Sequence, residues 1–442
     1  MLIEFSVGNY KSFMETMSFS MVAARLTAKD KRLDKHNVFK VGNDLSLLKS
    51  AAIYGANAGG KSNFIAAIRF MKNFVLNSSK DTQANERIPV EPFRLSTETA
   101  NKPSFFEMVF LIDGRRYRYG FEVTPERVVA EWLLHVPTIR EAKLFERRDG
   151  KFEVMNGFRE GKELKDKTRD NALFLSVVAQ FNGAISQQLL KWFRNLGLIS
   201  GLNDAGLRMY TIQMLDEKRY QDEILHLVRR LDVGIDDIQM RKSPLTDSSV
   251  ADISTAPDQI QAIFRGLIAE LNKLSKNSGM ERIDVLTAHR KFDAHGESTA
   301  VEFFDIDNNE SEGTKKVFSI AGPLVDTLKK GNVLIVDELD ARLHPLITRA
   351  IIGLFNFSET NPQNAQLIFA THDTNLLSKD MFRRDQIWFA EKDRFGATHL
   401  YSLAEYKVRN DASFESDYIR GKYGAIPFVG DLSTLLRVSE GE

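Results

Sequence analysis

The 442-residue chain contains no cysteine. That excludes disulfides, thiolate nucleophiles and cysteine-ligated metal centres, and it fits a reducing compartment. Charge bias is missing too: Lys and Arg total 60, and so do Asp and Glu. Net charge therefore argues for neither a nucleic-acid nor a membrane partner, although local patches stay open. No run of about 18 apolar residues occurs, so no segment is expected to span a bilayer. The opening Met1-Leu2-Ile3-Glu4-Phe5 has neither the basic region nor the apolar stretch of a secretory signal, and a cytoplasmic location is expected. What the chain does have is length for two or three domains and, at 43% apolar residues, material for a sizeable core.

The most informative segment is Gly55-Ala56-Asn57-Ala58-Gly59-Gly60-Lys61-Ser62, which fits G-x-x-x-x-G-K-[ST] at every fixed position. An apolar run, Ala51 to Tyr54, precedes it and reads as a strand. Asn63 to Asn77 follows with apolar residues at Phe64, Ile68, Met71 and Val75, the spacing of a helix. Strand, loop and helix are the setting that a phosphate loop needs. Gly55, Gly59 and Gly60 let backbone N–H groups turn inward on phosphate oxygens, and the helix start adds partial positive charge. Lys61 is expected to reach the β and γ phosphates, and Ser62 to hold Mg²⁺. Asn57 and Asn63 complete the candidate nucleotide-binding set.

Around this loop the chain has a recognisable order. Leu2 to Val7 alternates as a strand, and Asn9-Tyr10-Lys11-Ser12-Phe13 turns it into a second one. Phe105 to Ile112 and Arg116 to Val123 flank Asp113-Gly114, a strong hairpin signal. Val128 to Val136 and Lys143 to Met155 continue an antiparallel sheet. The pattern is helical from about Thr168 to Leu274, including Ile185 to Leu196, Asp216 to Leu231 and Pro257 to Leu274, with a polar loop at Ser243 to Thr255. Short strands are expected at Val285 to Thr287 and Val301 to Phe304. After Gly313 come a helix, strand Asn332 to Val336, helix Leu346 to Phe355 and strand Gln366 to Ala370, a βαβ alternation that predicts a parallel sheet.

Three motifs in this last block complement the phosphate loop. Val333-Leu334-Ile335-Val336-Asp337-Glu338 is an apolar strand ending in two carboxylates. Asp337 suits a Mg²⁺ ligand and Glu338 a general base for water. Gln366 to Ala370 runs out into Thr371-His372-Asp373, where His372 can donate a hydrogen bond to a terminal phosphate. Ser311 and Gly313 form S-x-G at the head of an amphipathic helix containing Pro323. The pair suits either a γ-phosphate held elsewhere or a simple helix cap.

Together these residues resemble the ABC-type ATPases of the SMC and RecF class. Within it they are most similar to bacterial stand-alone AAA-type ATPases of anti-phage defence and restriction loci, the RloA, AbiL and PARIS AriA kind. The resemblance is carried by Gly55 to Asn63, Asp337 to Pro345, Ala370 to Asp373 and the late Tyr418-Ile419-Arg420-Gly421-Lys422-Tyr423-Gly424-Ala425-Ile426-Pro427. It implies an α/β fold: an ABC-type ATPase head with an antiparallel β-subdomain, a split parallel core sheet and a helical insertion. The expected divisions are an N-terminal lobe at 1–165, a helical insertion at 166–280, a C-terminal lobe at 281–405 and a tail at 406–442.

The resemblance also implies ATP and Mg²⁺ as cofactors, catalysis by Lys61, Glu338 and His372, and a head-to-tail dimer or higher oligomer. In that dimer Ser311 and Gly313 of one subunit close on the phosphate loop of the other, and Asp340 to His344 touch the partner. The signature departs from L-S-G-G-Q at Glu310, Glu312 and Thr314. A switch of this kind controls a separate effector such as a Toprim-type nuclease, since only about 70 residues follow His372. The alternative is a RecF-like ATPase of DNA repair or maintenance. Glu131 is a candidate for the glutamine-loop role. Arg115-Arg116-Tyr117-Arg118-Tyr119 suits either nucleic acid or a solvated hairpin face, His289-Arg290-Lys291 suits a partner, and Arg383-Arg384 reads as surface charge.

Overall fold

The computed structural model describes residues 1–42, 44–81, 83–137, 140–202, 204–232, 234–244, 281–408 and 412–427. The expected helix Pro257 to Leu274 lies outside them. Two compact units emerge: Met1–Asn203 with Asp326–Glu442, and Asp204–Val325. These limits differ from the expected ones. Residues 166–203 do not leave with the insertion, because Gly197–Ser200 forms a strand parallel to Val333–Asp337 and so belongs to the core sheet. The second unit also runs past residue 280, because its own sheet continues there.

The strands of the chain are, in order, β1 (Leu2–Gly8), β2 (Met17–Ser20), β3 (Val38–Val41), β4 (Leu45–Leu48), β5 (Ser50–Tyr54), β6 (Ser104–Ile112), β7 (Arg115–Val123), β8 (Val128–Val136), β9 (Ala142–Arg148), β10 (Lys151–Val154), β11 (Gly197–Ser200), β12 (Asp237–Pro244), β13 (Glu281–Phe292), β14 (Ser298–Asp305), β15 (Val333–Asp337), β16 (Gln366–Ala370), β17 (Ile387–Lys392) and β18 (Thr398–Ser402). In the first unit, seven strands pair antiparallel in the order β10-β9-β8-β7-β6-β1-β2, and six form the core sheet β11-β15-β16-β5-β17-β18. All neighbours in the core sheet are parallel except the β17–β18 hairpin. The five residues of β5 and the five of β16 are all buried. That explains their unbroken apolar runs, since a parallel strand covered on both faces has no polar side to show.

The helix Lys61–Asn77 buries Phe64, Ile65, Ala67, Ile68, Met71, Phe74 and Val75 along one broad stripe. These side chains join residues of both large sheets in one core: Phe64 meets Phe5 and Phe19 edge-on or tilted, and Phe74 meets Phe121. The hairpin expected at Asp113-Gly114 forms, with both residues at positive φ (48° and 76°), as a two-residue primed turn requires. The region Lys143 to Met155 contains two strands, β9 and β10, folded about Asp149-Gly150.

The second unit holds the helices Ala205–Asp216 and Gln221–Leu231 where one helix was expected across 216–231; the break falls at Lys218 and Tyr220, both at positive φ. It also holds the antiparallel sheet β12-β13-β14. Most of the helix Glu312–Lys330 belongs here, with Pro323 inside it. Lys316, fully buried on that helix, pairs with Asp204 at 2.6 Å.

Candidate functional site

Strand register brings the candidate residues of the first unit to one edge. Ile53 of β5 is level with Ala370 of β16, and Val336 of β15 with Phe369 of β16, so Asp337 shares the rank of Ala370 and Ile53. One or two residues further on, each strand leaves the sheet: β5 into Gly55, β15 into Glu338 and β16 into Thr371-His372. Three parallel strands thus deliver the loop, the acids and the histidine to their carboxyl ends, where ligands of open α/β sheets bind.

The loop is tightly backed. A β-carbon on Gly55 would come within 2.3 Å of the Ala390 carbonyl oxygen of β17. Gly60 has φ of 115°, and a β-carbon there would lie 2.3 Å from Thr398 Oγ1. Lys61 is 5% exposed, and its Nζ donates to the carbonyls of Gly55 (2.7 Å) and Ala56 (3.1 Å). This burial, only partly opposed by Asp337, Glu338 and Asp340, lowers its pKa to about 8. The Ser62 hydroxyl donates to Asp337 Oδ1 at 3.3 Å. A hydroxyl and a carboxylate, hard oxygen donors from two elements, fit part of the oxygen shell that Mg²⁺ prefers. Among the described residues no cluster of three or more His, Cys, Asp or Glu is arranged as a metal site, so the remaining ligands would be water and phosphate, as is usual for Mg²⁺. Asn63 faces elsewhere, donating to Ser12 Oγ at 2.7 Å.

Glu338 takes a left-handed backbone with φ of 56°, an uncommon state for a residue with a side chain. The turn is held on both sides: Gly201 N–H donates to Asp337 O at 2.6 Å, and Leu339 N–H to Ala370 O at 3.1 Å. Asp340 Oδ2 accepts the His372 N–H at 3.4 Å, linking the acidic turn to the histidine strand. Partial burial, and then the Lys61 ammonium, hold the His372 imidazole pKa below its ordinary 6.5. The ring is therefore neutral at pH 7, with one N–H to donate. His344 caps the next helix, Pro345–Asn356, through Nδ1 accepting from Leu346 N–H.

In the second unit Ser311 caps the helix Glu312–Lys330. Its Oγ accepts from Thr314 N–H at 3.1 Å and lies 2.9 Å from Thr314 Oγ1. Ser311 is exposed and Gly313 partly so. Glu310 is tied back to Thr287 and, at 2.7 Å, to His289.

The family model described as "AAA domain, putative AbiEii toxin, Type IV TA system" matches residues 50–378. The chain belongs to this family. The matched span contains the phosphate loop, both acids and His372, so a P-loop ATPase family supplies the frame for the site. No curated protein matches the sequence. Among solved structures, the SMC head domain from Thermotoga maritima is 12% identical, covering 91% of this chain and 98% of that one, with a TM-score of 0.40. The SMC head bound to the C-winged helix domain of ScpA is 13% identical (91% and 97% covered, TM-score 0.42). The recombination mediator protein RecF-ATPrS of the RecFOR pathway is also 13% identical (90% and 98% covered, TM-score 0.33). The strand order itself gives an α/β fold, with a mainly parallel core sheet and a separate antiparallel one.

Several sequence expectations meet a different structure. Glu131 is buried completely, and its two oxygens accept from Tyr119 OH (2.9 Å), Phe174 N–H (2.6 Å) and Leu175 N–H (2.9 Å). It holds the start of a helix, not a glutamine-loop position open to a metal or water. The alternation of β7 turns Tyr117 and Tyr119 into the core while Arg118 pairs with Glu107 and Glu141, so the basic-aromatic run offers no stacking platform. Arg383 is buried, not surface charge, and is bound to Asp34 and Asp385. His289, Arg290 and Lys291 are paired with Glu310, Asp236 and Glu302. Sequence reasoning missed β17, β18 and Thr398, although Gly396 between two β-rich runs was a turn signal. In the tail motif, Tyr418 OH binds Ala425 O, and Tyr418 and Tyr423 both stack on Phe389 of β17.

Proposed function

We propose that the protein binds and hydrolyses ATP and uses the cycle as a dimer switch. The observation that carries the proposal is the meeting of Lys61, Ser62, Asp337, Glu338 and His372 at one edge of three parallel strands. Lys61 trades its two loop carbonyls for phosphate oxygens. Ser62 and Asp337 would hold Mg²⁺, which would supply charge neutralisation for the phosphates. Glu338 takes a proton from the attacking water as its oxygen bonds to the γ-phosphorus and the bond to the ADP oxygen breaks. His372 donates its N–H to the transferred group.

The switch rests on Ser311 and Gly313 at the head of a long helix, in a family whose description names a toxin system. In this reading those residues of one subunit complete the nucleotide site of another. ATP closes the pair and hydrolysis opens it, and the motion regulates a separate effector, such as a nuclease, in anti-phage defence. The test is the mass in solution of Glu338→Gln, which should retain ATP. With ATP and Mg²⁺ it is expected to double its mass, with ADP to stay monomeric, and Ser311→Arg added to it should prevent the change. A mass independent of nucleotide would refute the switch while leaving hydrolysis to be judged by phosphate release.

A further inference from the structure

A chain of polar groups runs behind the phosphate loop. Asn63 Nδ2 donates to Ser12 Oγ at 2.7 Å. Ser12 Oγ lies 2.8 Å from Thr398 Oγ1, and Thr398 Oγ1 lies 3.1 Å from the Gly59 carbonyl oxygen. Thr398 N–H also donates to Ser12 O at 2.6 Å. Thr398 is 1% exposed and Ser12 6%. Each hydroxyl carries a single hydrogen. Only the Thr398 hydroxyl can donate to the Gly59 carbonyl. Thr398 Oγ1 is placed to donate to Ser12 Oγ as well as to the Gly59 carbonyl, its one hydrogen shared between the two acceptors, and Ser12 Oγ also accepts from Asn63. These bonds link Asn63, Ser12, Thr398 and the Gly59 carbonyl, and they join four separate elements: the loop helix, the turn after β1, the start of β18 and the loop.

The last bond has a geometric consequence. The Gly59 C=O and the Gly60 N–H belong to one planar, trans peptide unit and point in opposite directions. Fixing the carbonyl outward on Thr398 turns the Gly60 N–H toward the inside of the loop, where a phosphate oxygen needs a donor. The Thr398 side chain also occupies the space that a Gly60 β-carbon would take. We propose that Thr398, ordered by Ser12 and Asn63, is a positioning residue that aims the Gly60 N–H at bound phosphate. This rests on the ATP-binding reading above, and it assigns Asn63 to supporting the loop, not touching nucleotide.

The test uses the full chain. Thr398→Val keeps the shape and removes the hydroxyl; Thr398→Ser keeps the hydroxyl. ATP affinity, measured with Mg²⁺ in the Glu338→Gln background, should weaken about tenfold in Thr398→Val and return to within about twofold in Thr398→Ser. In turnover the loss should fall on KM more than on kcat. Ser12→Ala should add little to Thr398→Val, because both cut one chain. Amide hydrogen exchange across residues 55–62, without nucleotide, should speed up in Thr398→Val and not in Thr398→Ser. Equal exchange and equal affinity in folded Thr398→Val would overturn the proposal, as would a serine variant as impaired as the valine one. If the unaltered chain fails to bind ATP, the functional reading falls, and the exchange data alone still decide whether Thr398 orders the loop.

Discussion

Glu131 in β8 and Glu338 beyond β15 are the same side chain in two neighbouring sheets, put to opposite uses. Glu131 has no exposed surface, accepts three hydrogen bonds and lies within the field of buried Arg147. Burial raises its pKa, while Leu175 N–H, Arg147, Phe174 N–H and Tyr119 OH oppose the shift. Both of its oxygens are engaged in holding the antiparallel sheet to the helix Phe174–Gln180. Glu338 stands partly exposed at a strand's carboxyl end, in a backbone state with positive φ. Beside it Asp337 takes a single long bond from Ser62. The acid with both oxygens engaged holds the fold together; those with spare acceptor sites at the strand ends are the ones the proposed function assigns to the ligand.

The contrast can be broken from either side. The largest effect is expected for Lys61→Ala, which removes the one cation buried inside the loop; ATP turnover should fall by about 10² or more, with the thermal midpoint little changed. Glu131→Ala should do the reverse. It leaves Tyr119 OH and two helix N–H groups without an acceptor and should cost about 3 kcal/mol of stability in urea unfolding. Turnover per folded molecule should stay within about threefold. Lost turnover with unchanged stability in Glu131→Ala would return that residue to the catalytic group.

Two pH effects are smaller. Lys61 in the free protein has a pKa of about 8, and bound phosphate favours its charged form. ATP affinity should therefore be flat below about pH 7 and fall above pH 8, approaching about tenfold per pH unit. Lys61→Arg should remove that dependence. His372 has a lowered pKa, so its neutral, donating form persists down to pH 6.5 and is lost only at lower pH. Its contribution to turnover should decline on the acid side of 6.5 by about tenfold at most, and His372→Gln should flatten that limb. An inflection above pH 7 that vanishes in His372→Gln would contradict the lowered pKa.

Much of the site was legible because its elements are local. A phosphate loop needs consecutive residues, and β15 and β16 announce themselves as apolar runs that end in functional groups. That β15 and β16 lie in a parallel sheet followed from the βαβ pattern; that β16 sits between β5 and β15 did not. The rest was hidden because it depends on distant partners. Glu131 looks like any polar position in an alternating strand until the chain returns at Phe174. Arg383 looks exposed until Asp34, about 350 residues away, meets it. Gly197–Ser200 lies in a helical neighbourhood and becomes a strand only because β15 offers a parallel edge. Thr398 carries no motif at all. Its role comes from the two elements that converge on it, the turn at Ser12 and the loop at Gly59.

The most direct measurement is phosphate release from ATP by the purified chain, with Glu338→Gln and Glu131→Gln assayed side by side at equal folded concentration. The unaltered protein should release phosphate. Glu338→Gln should lose about 10²-fold or more while still binding ATP, and Glu131→Gln should keep most of the rate. An inert unaltered protein, or equal losses in the two variants, would contradict the assignment of catalysis to the carboxyl edge of the core sheet.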